Sequence, residues 1–274
     1  MDTHMTVSII LPTYNSAHTI KKAIESVLAQ TYMDWELLVM DDGSTDNTQS
    51  VVANCNDPRI TYIKQEYNVG LQKTLNHSLA LAKGTYIARI DADDVWNDPA
   101  KLQAQVSFLE ANTEYVLVGT GVIAIDTHGK EVNRYLFPKT DTSIRSRILS
   151  RNCFAHSAVL FRKEVAGEGY SESPHVLHAE DYELWVRMGL RGNIANIPAY
   201  MTTLTIAPET ITARNRIIQA RRILTTVWKY KSKYPNAVFG VAASLSRYMF
   251  FCIAKIIPIP HWLIRWMHRF SKSV

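Results

Sequence analysis

The chain has 274 residues, of which 47% are hydrophobic and 20% are charged, a composition that excludes an intrinsically disordered protein. Its length allows one large core or two small ones. The three cysteines, Cys55, Cys153 and Cys252, are far apart and form no CxxC pair, which argues against a disulfide framework or a zinc site and favours a reducing compartment. There is no basic leader, and the first apolar run, 7–11, is too short for a signal peptide. We therefore expect a cytoplasmic protein.

The net charge of +5 conceals an asymmetry along the chain. Residues 1–209 carry all 25 Asp and Glu residues against 18 Lys and Arg residues. Residues 210–274 carry 12 Lys or Arg residues and no acid. A segment with one sign of charge predicts a separate anionic partner, either a membrane surface or a nucleic acid.

The first half alternates strand and helix patterns. We predict strands at 7–11, 36–40, 60–63 and 86–90, with helices beginning near residue 16, near 45–54 and near 70–82. Strands separated by helices of this length predict a parallel, doubly wound sheet. Right-handed crossovers would bring the loops after these strands to one edge.

After residue 98 the pattern is less regular. It predicts a helix at 99–111, an apolar stretch at 115–125 that contains two glycines, a basic helix near 142–151, a strand at 158–161 and a helix from about 179 to 190. We find no repeat of fixed period and no low-complexity segment.

Residues 210–274 are predicted to form basic amphipathic helices. Residues 237–257 are mostly apolar, but Arg247 and Lys255 leave no uncharged span of the ~20 residues that a bilayer-crossing helix needs. The last predicted helix, 261–270, has three aromatic residues on one side, beside basic residues: Trp262, Trp266 and Phe270. This pattern is typical of a helix that lies in a membrane surface. The alternative is a C-terminal helix docked on the core by the same aromatic residues.

Two acidic loops follow predicted strands: Asp41-Asp42-Gly43-Ser44-Thr45-Asp46 and Asp91-Ala92-Asp93-Asp94. Ligands of open α/β sheets bind beyond the carboxyl ends of the strands, so we expect both loops to face one crevice. Carboxylates that hold a hard divalent cation with few protein oxygens leave positions free for phosphate oxygens. The two loops therefore predict a metal-dependent site for a nucleoside diphosphate.

Five motifs occur in order: Val7-Ser8-Ile9-Ile10-Leu11-Pro12-Thr13-Tyr14-Asn15, the 41–46 loop, Asn68-Val69-Gly70-Leu71, the 91–94 loop and Glu180-Asp181. Over about residues 6–205 they resemble the family 2 glycosyltransferases, which are inverting enzymes of the GT-A fold. The resemblance implies an α/β protein with a Rossmann-like, mostly parallel sheet flanked by helices, with a donor-binding half at 6–97 and an acceptor-binding and catalytic half at 98–209. The charge and the apolar pattern add a third region, a membrane-associated, basic, amphipathic helical tail at 210–274.

The resemblance assigns the nucleotide pocket to three consecutive residues: Pro12, Thr13 and Tyr14. It makes Asp42 the acceptor for the uracil ring N–H, Asp91 the ribose-side acid and Asp93 the metal ligand. An alternative for the 41–46 loop is a polar turn in which Ser44 or Thr45 caps the next helix. Asp94 either completes the metal shell or caps the helix after Pro99.

Four further residues are candidates for the donor site. Arg89 and Lys73 are expected neighbours of the donor phosphates, and solvated surface charges are the alternative for both. Asn68 and Gly70 are expected to shape a strand-to-helix turn, where glycine permits close approach of the backbone to a ligand.

Asp181 is the predicted general base, because attack by a sugar hydroxyl on the anomeric carbon needs a proton acceptor. It lies in the first turn of the 179–190 helix, where the helix dipole favours a carboxylate. Its spacing to three apolar residues directs it towards the buried side: Leu184, Trp185 and Met188. The alternative is an ordinary acidic residue at a helix N-terminus. Trp185 itself is expected in the core.

Two stretches depart from the family pattern. Many relatives have Tyr-Arg-x-His where this chain has Leu204-Thr205-Ile206-Ala207, so the Arg and His that would meet the diphosphate or the metal are missing. His156 serves the acceptor side or is a satisfied structural histidine. Gln219-Ala220-Arg221-Arg222-Ile223 matches the Gln-x-x-Arg of processive polymer synthases but lacks their Trp. We interpret it as a basic helix in an enzyme that adds single sugars.

The sequence thus predicts an inverting glycosyltransferase that moves one sugar from a nucleotide-sugar, expected to be a UDP-sugar, with Mg²⁺ or Mn²⁺. We expect a lipid-linked saccharide acceptor and a peripheral position on the inner face of the cell membrane, as in O-antigen or capsule-like polysaccharide assembly. One alternative is a nucleotidyltransferase of similar fold, which would need a Gly-rich loop after the first strand. The other is a non-catalytic sugar- or nucleic-acid-binding module. Carboxylates in the cleft would repel nucleic acid, so we expect no nucleic-acid partner.

Overall fold

The computed structural model describes residues 6–206 and 216–256. The strands are β1 (Val7–Thr13), β2 (Trp35–Asp41), β3 (Ile60–Lys64), β4 (Tyr86–Arg89), β5 (Tyr115–Ile125), β6 (Glu131–Tyr135), β7 (Leu160–Arg162) and β8 (Asn193–Thr205). The helices are α1 (Ile20–Leu28), α2 (Thr48–Ala53), α3 (Leu71–Leu81), α4 (Lys101–Ala111), α5 (Asp141–Arg145), α6 (Lys163–Ala166), α7 (Glu180–Met188), α8 (Arg216–Tyr230) and α9 (Ala237–Ile256). The strands form one sheet in the order β3-β2-β1-β4-β7-β5-β6, and β8 pairs with β5.

The first half of the sheet is parallel, as the alternating pattern predicts. β1 pairs in parallel with β2 and β4, and β2 pairs in parallel with β3. Beyond β4 the sheet is mixed, because β7 runs antiparallel to both β4 and β5. The predicted fold class, a mostly parallel sheet flanked by helices, is confirmed.

Alternate residues of β1 pack on opposite faces of the sheet, as the period of a strand requires. Ile9 and Leu11 belong to a core layer with helices α1 and α4. Ile10 belongs to the other layer, which contains α3 and α7. The predicted place of Trp185 is confirmed, because its side chain is fully buried in this second layer.

The carboxyl ends of the parallel strands meet at one edge. Thr13 is the register partner of Asp41, and the Asp42 amide donates to the Thr13 carbonyl at 2.8 Å. On the other side of β1, the Ile90 amide donates to the Ile10 carbonyl at 3.1 Å, which brings the loop after β4 to the same edge. The two acidic loops therefore lie side by side, as predicted.

The helical tail packs on the domain where the structure describes it. In α8, Val227 and Tyr230 are buried in the same core layer as α7, and Tyr234 after the helix joins them. The sequence pattern predicts one apolar face on this helix, made of Ile217, Ile218, Leu224, Val227 and Trp228. That prediction is partly wrong, because Ile218 and Trp228 are exposed. Helix α8 is thus docked on the core. The predicted 261–270 helix, for which a membrane position and docking on the core are the two alternatives, lies outside the described residues.

The sequence prediction that residues 237–257 are too interrupted to span a bilayer needs correction, because helix α9 is long and apolar enough to cross a membrane by length and composition, and only 11% of this stretch is buried against the protein. One face packs on the turn after α5. A Cβ at Gly240 would lie 2.6 Å from Leu149 Cβ, and Ser244 Oγ donates to the Leu149 carbonyl at 3.3 Å. Arg247 Nη2 donates to the Ser150 carbonyl at 2.9 Å. The helix is therefore fastened to the domain along its first half.

Candidate active site

The loops after β1 and β2 are bound to each other. Asn15 adopts a left-handed backbone (φ 52°), and its side-chain oxygen accepts from the Thr45 amide at 2.8 Å. In return, the Asn15 amide donates to Ser44 Oγ at 2.8 Å. Ser44 therefore does not cap α2, which begins at Thr48. The polar loop residues fix the shape of this edge of the sheet.

The three predicted pocket residues lie at the carboxyl end of β1. Pro12 and Thr13 are buried, whereas Tyr14 is 49% exposed. Thr13 Oγ1 is buried with no hydrogen-bond partner in the described part of the protein. An unpaired buried hydroxyl at a strand end can bind a polar ligand group.

Asp42 is buried and holds the loop before α3. Its Oδ1 accepts from the Val69 amide at 2.8 Å and from Gln65 Nε2 at 3.2 Å. Its Oδ2 accepts from the Gly70 amide at 3.0 Å. An ionised carboxylate offers about four acceptor positions, so Oδ2 can take one more donor, such as a base N–H.

The two glycines beside the 68–70 turn have left-handed backbones. Gly70 (φ 93°) has no protein atom within 4 Å of where a Cβ would lie, so the predicted close approach of a ligand there stays a prediction. At Gly43 (φ 79°) a Cβ would lie 2.8 Å from the Asn68 amide nitrogen, so only glycine fits. Asn68 is exposed, and Lys73 is exposed in the first turn of α3.

Arg89 is not the solvated charge that one alternative proposed. Its side chain is 1% exposed, and Nη2 donates to Asp91 Oδ1 at 2.6 Å. Burial alone would raise the pKa of Asp91, but the Arg89 guanidinium, His156 and the Ser157 hydroxyl outweigh it and lower that pKa. Arg89 Nε and Nη1 have no partner in the described part of the protein. Arg89 thus keeps Asp91 ionised.

Asp94 does not cap α4, whose N-cap residue is Ala100. It is buried, its Oδ1 accepts from the Thr205 amide at 3.0 Å, and its Oδ2 forms a short hydrogen bond with Ser157 Oγ. Ser157 Oγ also accepts from the Asp91 amide at 2.9 Å. Burial and the charges of Asp91 and Asp93 raise the pKa of Asp94 well above its usual value. Asp94 therefore anchors the acidic loop to β8.

Thr205 occupies the position where many relatives carry Arg. Besides its amide bond to Asp94, its hydroxyl donates to the Asp93 carbonyl at 2.6 Å. The end of β8 thus holds the 91–94 loop in place without the missing Arg. Ala207, at the expected His position, lies outside the described residues.

Asp93 is the exposed carboxylate of this loop. Protein atoms crowd its inner side, and this burial together with the neighbouring charge of Asp91 raises its pKa to about 6. Within residues 6–206 and 216–256, no three His, Cys, Asp or Glu side chains cluster closely enough to hold a metal ion alone. One exposed carboxylate beside a second fits a cation that is shared with the phosphate oxygens of a ligand.

Asp181 lies in the first turn of α7, as predicted. Asn152 Nδ2 donates to its Oδ2 at 3.1 Å. Burial and, more weakly, the charge of Asp91 raise the pKa of Asp181 against the bonds from Asn152 and the Tyr182 amide. Its neighbour Glu180 is buried, with Oε2 unpartnered among the described residues, and burial raises the pKa of Glu180 to about 7.

His156 lies between the donor loops and α7. Its Nε2 is 2.8 Å from the Tyr170 hydroxyl, and its ring meets the Trp185 ring edge to face, with centroids 5.8 Å apart. Burial and the positive charge of Arg89 lower the pKa of His156 well below its usual value. His156 is therefore neutral, and its hydrogen bond to Tyr170 satisfies one ring nitrogen.

The structure brings Arg89, Asp91, His156 and Asp181 into one electrostatic cluster, because the charges of Arg89 and Asp91 act on both other groups. Sequence reasoning misses three residues of this site: Asn152, Ser157 and Tyr170. They belong to no motif, and the fold alone brings them there. Only the neighbouring His156 gave a signal for Ser157.

Comparison with known proteins identifies the family. The sequence profile described as "Glycosyl transferase family 2" matches residues 8–169. The UDP-Glc:alpha-D-GlcNAc-diphosphoundecaprenol beta-1,3-glucosyltransferase WfgD of Escherichia coli is 36% identical over 197 residues, which cover 72% of this chain and 74% of WfgD. The amylovoran biosynthesis glycosyltransferase AmsE of Erwinia amylovora is 31% identical over 212 residues, 76% of this chain and 79% of AmsE.

Two solved structures share the fold. Residues 1–349 of S. aureus TarS, in complex with UDP-GlcNAc, align with a TM-score of 0.70 at 21% identity, covering 90% of this chain and 73% of that one. The mannosyltransferase PcManGT from Pyrobaculum calidifontis, in complex with GDP-Man and Mn²⁺, aligns with a TM-score of 0.62 at 19% identity, covering 95% and 79%. The predicted resemblance is confirmed: the chain is an enzyme of glycosyl transferase family 2.

Proposed function

We propose that this enzyme transfers one sugar, with inversion, from a UDP-sugar to a lipid-linked saccharide at the inner face of the cell membrane. The product would be an intermediate of cell-surface polysaccharide assembly. The observation that carries the proposal is the meeting of the donor loops, Asp93 and Asp181 at one sheet edge. Membership of the glycosyltransferase family argues against the nucleotidyltransferase and the binding-module alternatives.

The donor would lie across the carboxyl ends of β1, β2 and β4. Tyr14 and the unpaired Thr13 hydroxyl offer contacts to the nucleoside, and Asp42 Oδ2 has capacity for the uracil N–H. Lys73 and the 68–70 turn remain candidates for the phosphates. A uracil donor is favoured because WfgD, 36% identical, is named for UDP-Glc. GDP-sugars are the alternative, since PcManGT was solved with GDP-Man.

Asp181 would act as the general base. The acceptor hydroxyl oxygen attacks the anomeric carbon, the bond from that carbon to the diphosphate oxygen breaks, and its electron pair leaves with the UDP. The proton of the acceptor hydroxyl passes to Asp181. One displacement inverts the anomeric centre. The raised pKa of Asp181 brings its basicity closer to the working pH, which favours general base catalysis.

Asp93, with Asp91 beside it, would hold Mg²⁺ or Mn²⁺ together with the donor diphosphate. The cation would neutralise charge on the departing diphosphate. Arg89 serves this arrangement indirectly, because it fixes the orientation and the charge of Asp91.

The acceptor that we infer is anchored in a membrane. WfgD is named for an acceptor on diphosphoundecaprenol, and we infer an acceptor of the same class, a sugar linked to a polyprenyl diphosphate. Such an acceptor is embedded in the bilayer, so the enzyme must work at the surface. The twelve cations of residues 210–274, without any acid, would attract anionic lipid.

Helix α9 would lie flat on that surface instead of crossing it. Its domain-facing side is bonded to the carbonyls of Leu149 and Ser150, so a spanning α9 would pull this turn into hydrocarbon. Its opposite side exposes an apolar face: Val238 (87% exposed), Phe239 (66%), Leu245, Met249 and Ile253. An apolar face on a helix flanked by cations is typical of interfacial binding.

The test is a donor screen with the purified full chain. UDP-glucose, UDP-N-acetylglucosamine and GDP-mannose are incubated with Mn²⁺, Mg²⁺ or EDTA, and release of the nucleoside diphosphate is measured. We expect release from a UDP-sugar that requires metal and is lost in Asp181→Asn. Turnover of GDP-mannose alone would overturn the UDP assignment, and turnover in EDTA would overturn the metal assignment.

A further inference from the structure

Helix α8 forms hydrogen bonds to the chain segment that precedes the first turn of α7. Gln219 Nε2 donates to the His178 carbonyl at 2.9 Å, and Arg222 Nη1 donates to the Leu177 carbonyl. Residues three apart lie on one face of a helix, so one face of α8 holds two successive carbonyls. The sequence interpretation of Gln219–Ile223 as only a basic helix is therefore incomplete.

The segment of residues 177–179 has a backbone conformation that neighbouring contacts must stabilise. His178 has a left-handed φ of 67°, which is uncommon for a residue with a side chain and costs free energy unless its surroundings hold it. Ala179 follows in a conformation outside the helix, and Asp181 is the second residue of α7. A change of backbone at His178 would therefore rotate the first turn of α7.

We propose that Gln219 and Arg222 are positioning residues for the reaction: by holding the 177–179 segment, they fix Asp181 towards the anomeric carbon. The inference rests on the proposed role of Asp181 as the base. It assigns to the C-terminal helices a part in catalysis that is separate from membrane contact. An error of about 1 Å in the position of a catalytic group can cost about 10²-fold in rate.

Electrostatic contacts support the same geometry. The positive charge of Arg222 acts on the buried Glu180 carboxyl, next to Asp181 in sequence. Burial and the charge of Arg222 lower the pKa of His178, which keeps that imidazole neutral beside the guanidinium. Arg222 therefore provides a hydrogen bond to the Leu177 carbonyl and a counter-charge to Glu180.

Loss of these two side chains should leave α8 in place. Further along the same helices, the Tyr230 hydroxyl donates to Glu183 Oε1 at 2.6 Å and the Tyr234 hydroxyl donates to the Val186 carbonyl at 2.6 Å. Val227 is fully buried in the same core layer as Tyr230 and Tyr234. These contacts anchor α8 to α7 independently of Gln219 and Arg222. Substitutions of Gln219 and Arg222 should therefore change the position of the 177–179 segment and leave the fold intact.

Arg221 is the matched control. It is the adjacent residue of α8, carries the same charge and is exposed to solvent. Arg221→Ala removes the same charge as Arg222→Ala from nearly the same place. Any difference between the two variants reports on the contacts of Arg222 with the 177–179 segment.

The experiment compares Gln219→Ala, Arg222→Ala, Arg222→Lys, Arg221→Ala and Asp181→Asn in the full chain, with the UDP-sugar found in the donor screen. We expect kcat to fall about 10- to 100-fold in Gln219→Ala and Arg222→Ala, with donor KM and melting temperature near those of Arg221→Ala. Arg222→Lys retains a donor and the charge, so it should recover most of the rate. In Gln219→Ala, loosening the segment would admit water to Glu180 and Asp181 without changing the charge, so the acidic limb of the kcat profile should move to lower pH.

Two results would overturn the proposal while leaving the role of Asp181 standing. In the first, Asp181→Asn is inactive but Gln219→Ala and Arg222→Ala match Arg221→Ala in kcat and in pH profile. In the second, Arg222→Ala loses kcat, donor affinity and melting temperature together and Arg222→Lys restores none of them, which marks a purely structural role. An active Asp181→Asn would instead refute the base assignment on which the proposal depends.

Discussion

The buried guanidinium of Arg89 donates to the Asp91 carboxylate at 2.6 Å, two residues further along the chain at the end of β4. The pair joins the sheet core to the acidic loop. Two of the three guanidinium nitrogens find no partner among the described residues, so Arg89 is held there at some cost in stability. In return, the Asp91 carboxylate stays charged beside the proposed donor site.

Arg89→Met should therefore change the pH dependence of donor binding. Without the guanidinium, burial raises the pKa of Asp91, so its carboxyl group takes up a proton at a higher pH. As the pH is lowered, UDP affinity with Mn²⁺ should therefore be lost at a higher pH in the variant than in the wild type. Calorimetry between pH 5 and 8 measures this. Arg162→Met is the control, since Arg162 is the register partner of Tyr86 at the opposite end of β4. Superimposable pH profiles for wild type and Arg89→Met would contradict the role given to this pair.

Asp93→Ala should abolish metal-dependent donor binding while the fold survives, because Asp93 is exposed and its carboxyl group is hydrogen-bonded to its own backbone. Isothermal calorimetry with UDP and Mn²⁺ measures the affinity, and the melting temperature reports the fold. Glu25→Ala, an exposed carboxylate of α1 away from the loops, is the control. Unchanged UDP affinity in Asp93→Ala with Mn²⁺ would refute the metal assignment.

Glu180→Gln should stabilise the protein at alkaline pH. A carboxyl group whose pKa is about 7 when folded and 4.5 when unfolded destabilises the fold once it ionises, and the loss of stability grows as pH rises from about 4.5 to 7. The variant should therefore gain free energy of unfolding on the order of 3 kcal/mol at pH 8 and little at pH 4.5. Urea titrations at both pH values measure it, with Glu25→Gln as control. An equal effect at both pH values would mean that ionisation of Glu180 is not the cause.

The full chain should co-sediment with anionic liposomes. Each Lys or Arg near such a surface contributes about 1 kcal/mol, and salt weakens this part, whereas apolar insertion resists salt. Leu245→Asp with Met249→Asp should remove the salt-resistant part, because both side chains lie on the exposed apolar face of α9. Ser232→Asp, on the exposed turn between α8 and α9, is the control that shows whether an added negative charge alone removes the salt-resistant binding. Failure of the wild type to bind anionic vesicles at low salt would refute the membrane proposal.

The parallel half of the sheet follows from local pattern, because each strand of β1–β4 is an apolar run bounded by turn residues. β8 was not predicted. Its sequence mixes Asn193, Asn196 and Pro198 with apolar residues, and its pairing with β5 shifts register between Thr120 and Val122. A strand completed by long-range pairing leaves little periodicity for local reasoning to detect.

The residues of the site also divide into those that the sequence pattern predicts and those that only tertiary packing brings together. The carboxylates of the two loops follow strands directly, so topology alone predicts that they meet. Tyr170 and Asn152 reach the site only through tertiary packing, and their neighbours in sequence do not mark them, whereas Ser157 is marked only by the adjacent His156. In α8, Ile218 and Trp228 are apolar but exposed, and only the packed structure distinguishes them from the buried Val227 and Tyr230.

The most direct test of the central claim is the turnover of Asp181→Asn on the UDP-sugar and a polyprenyl-linked acceptor. The amide keeps the shape of the carboxylate and cannot take a proton, so kcat should fall at least ~10²-fold while UDP affinity stays near that of the wild type. Asp126→Asn, in the turn between β5 and β6, should match the wild type in both. A kcat for Asp181→Asn within a few-fold of wild type would contradict the assignment of the base and the active site built around it.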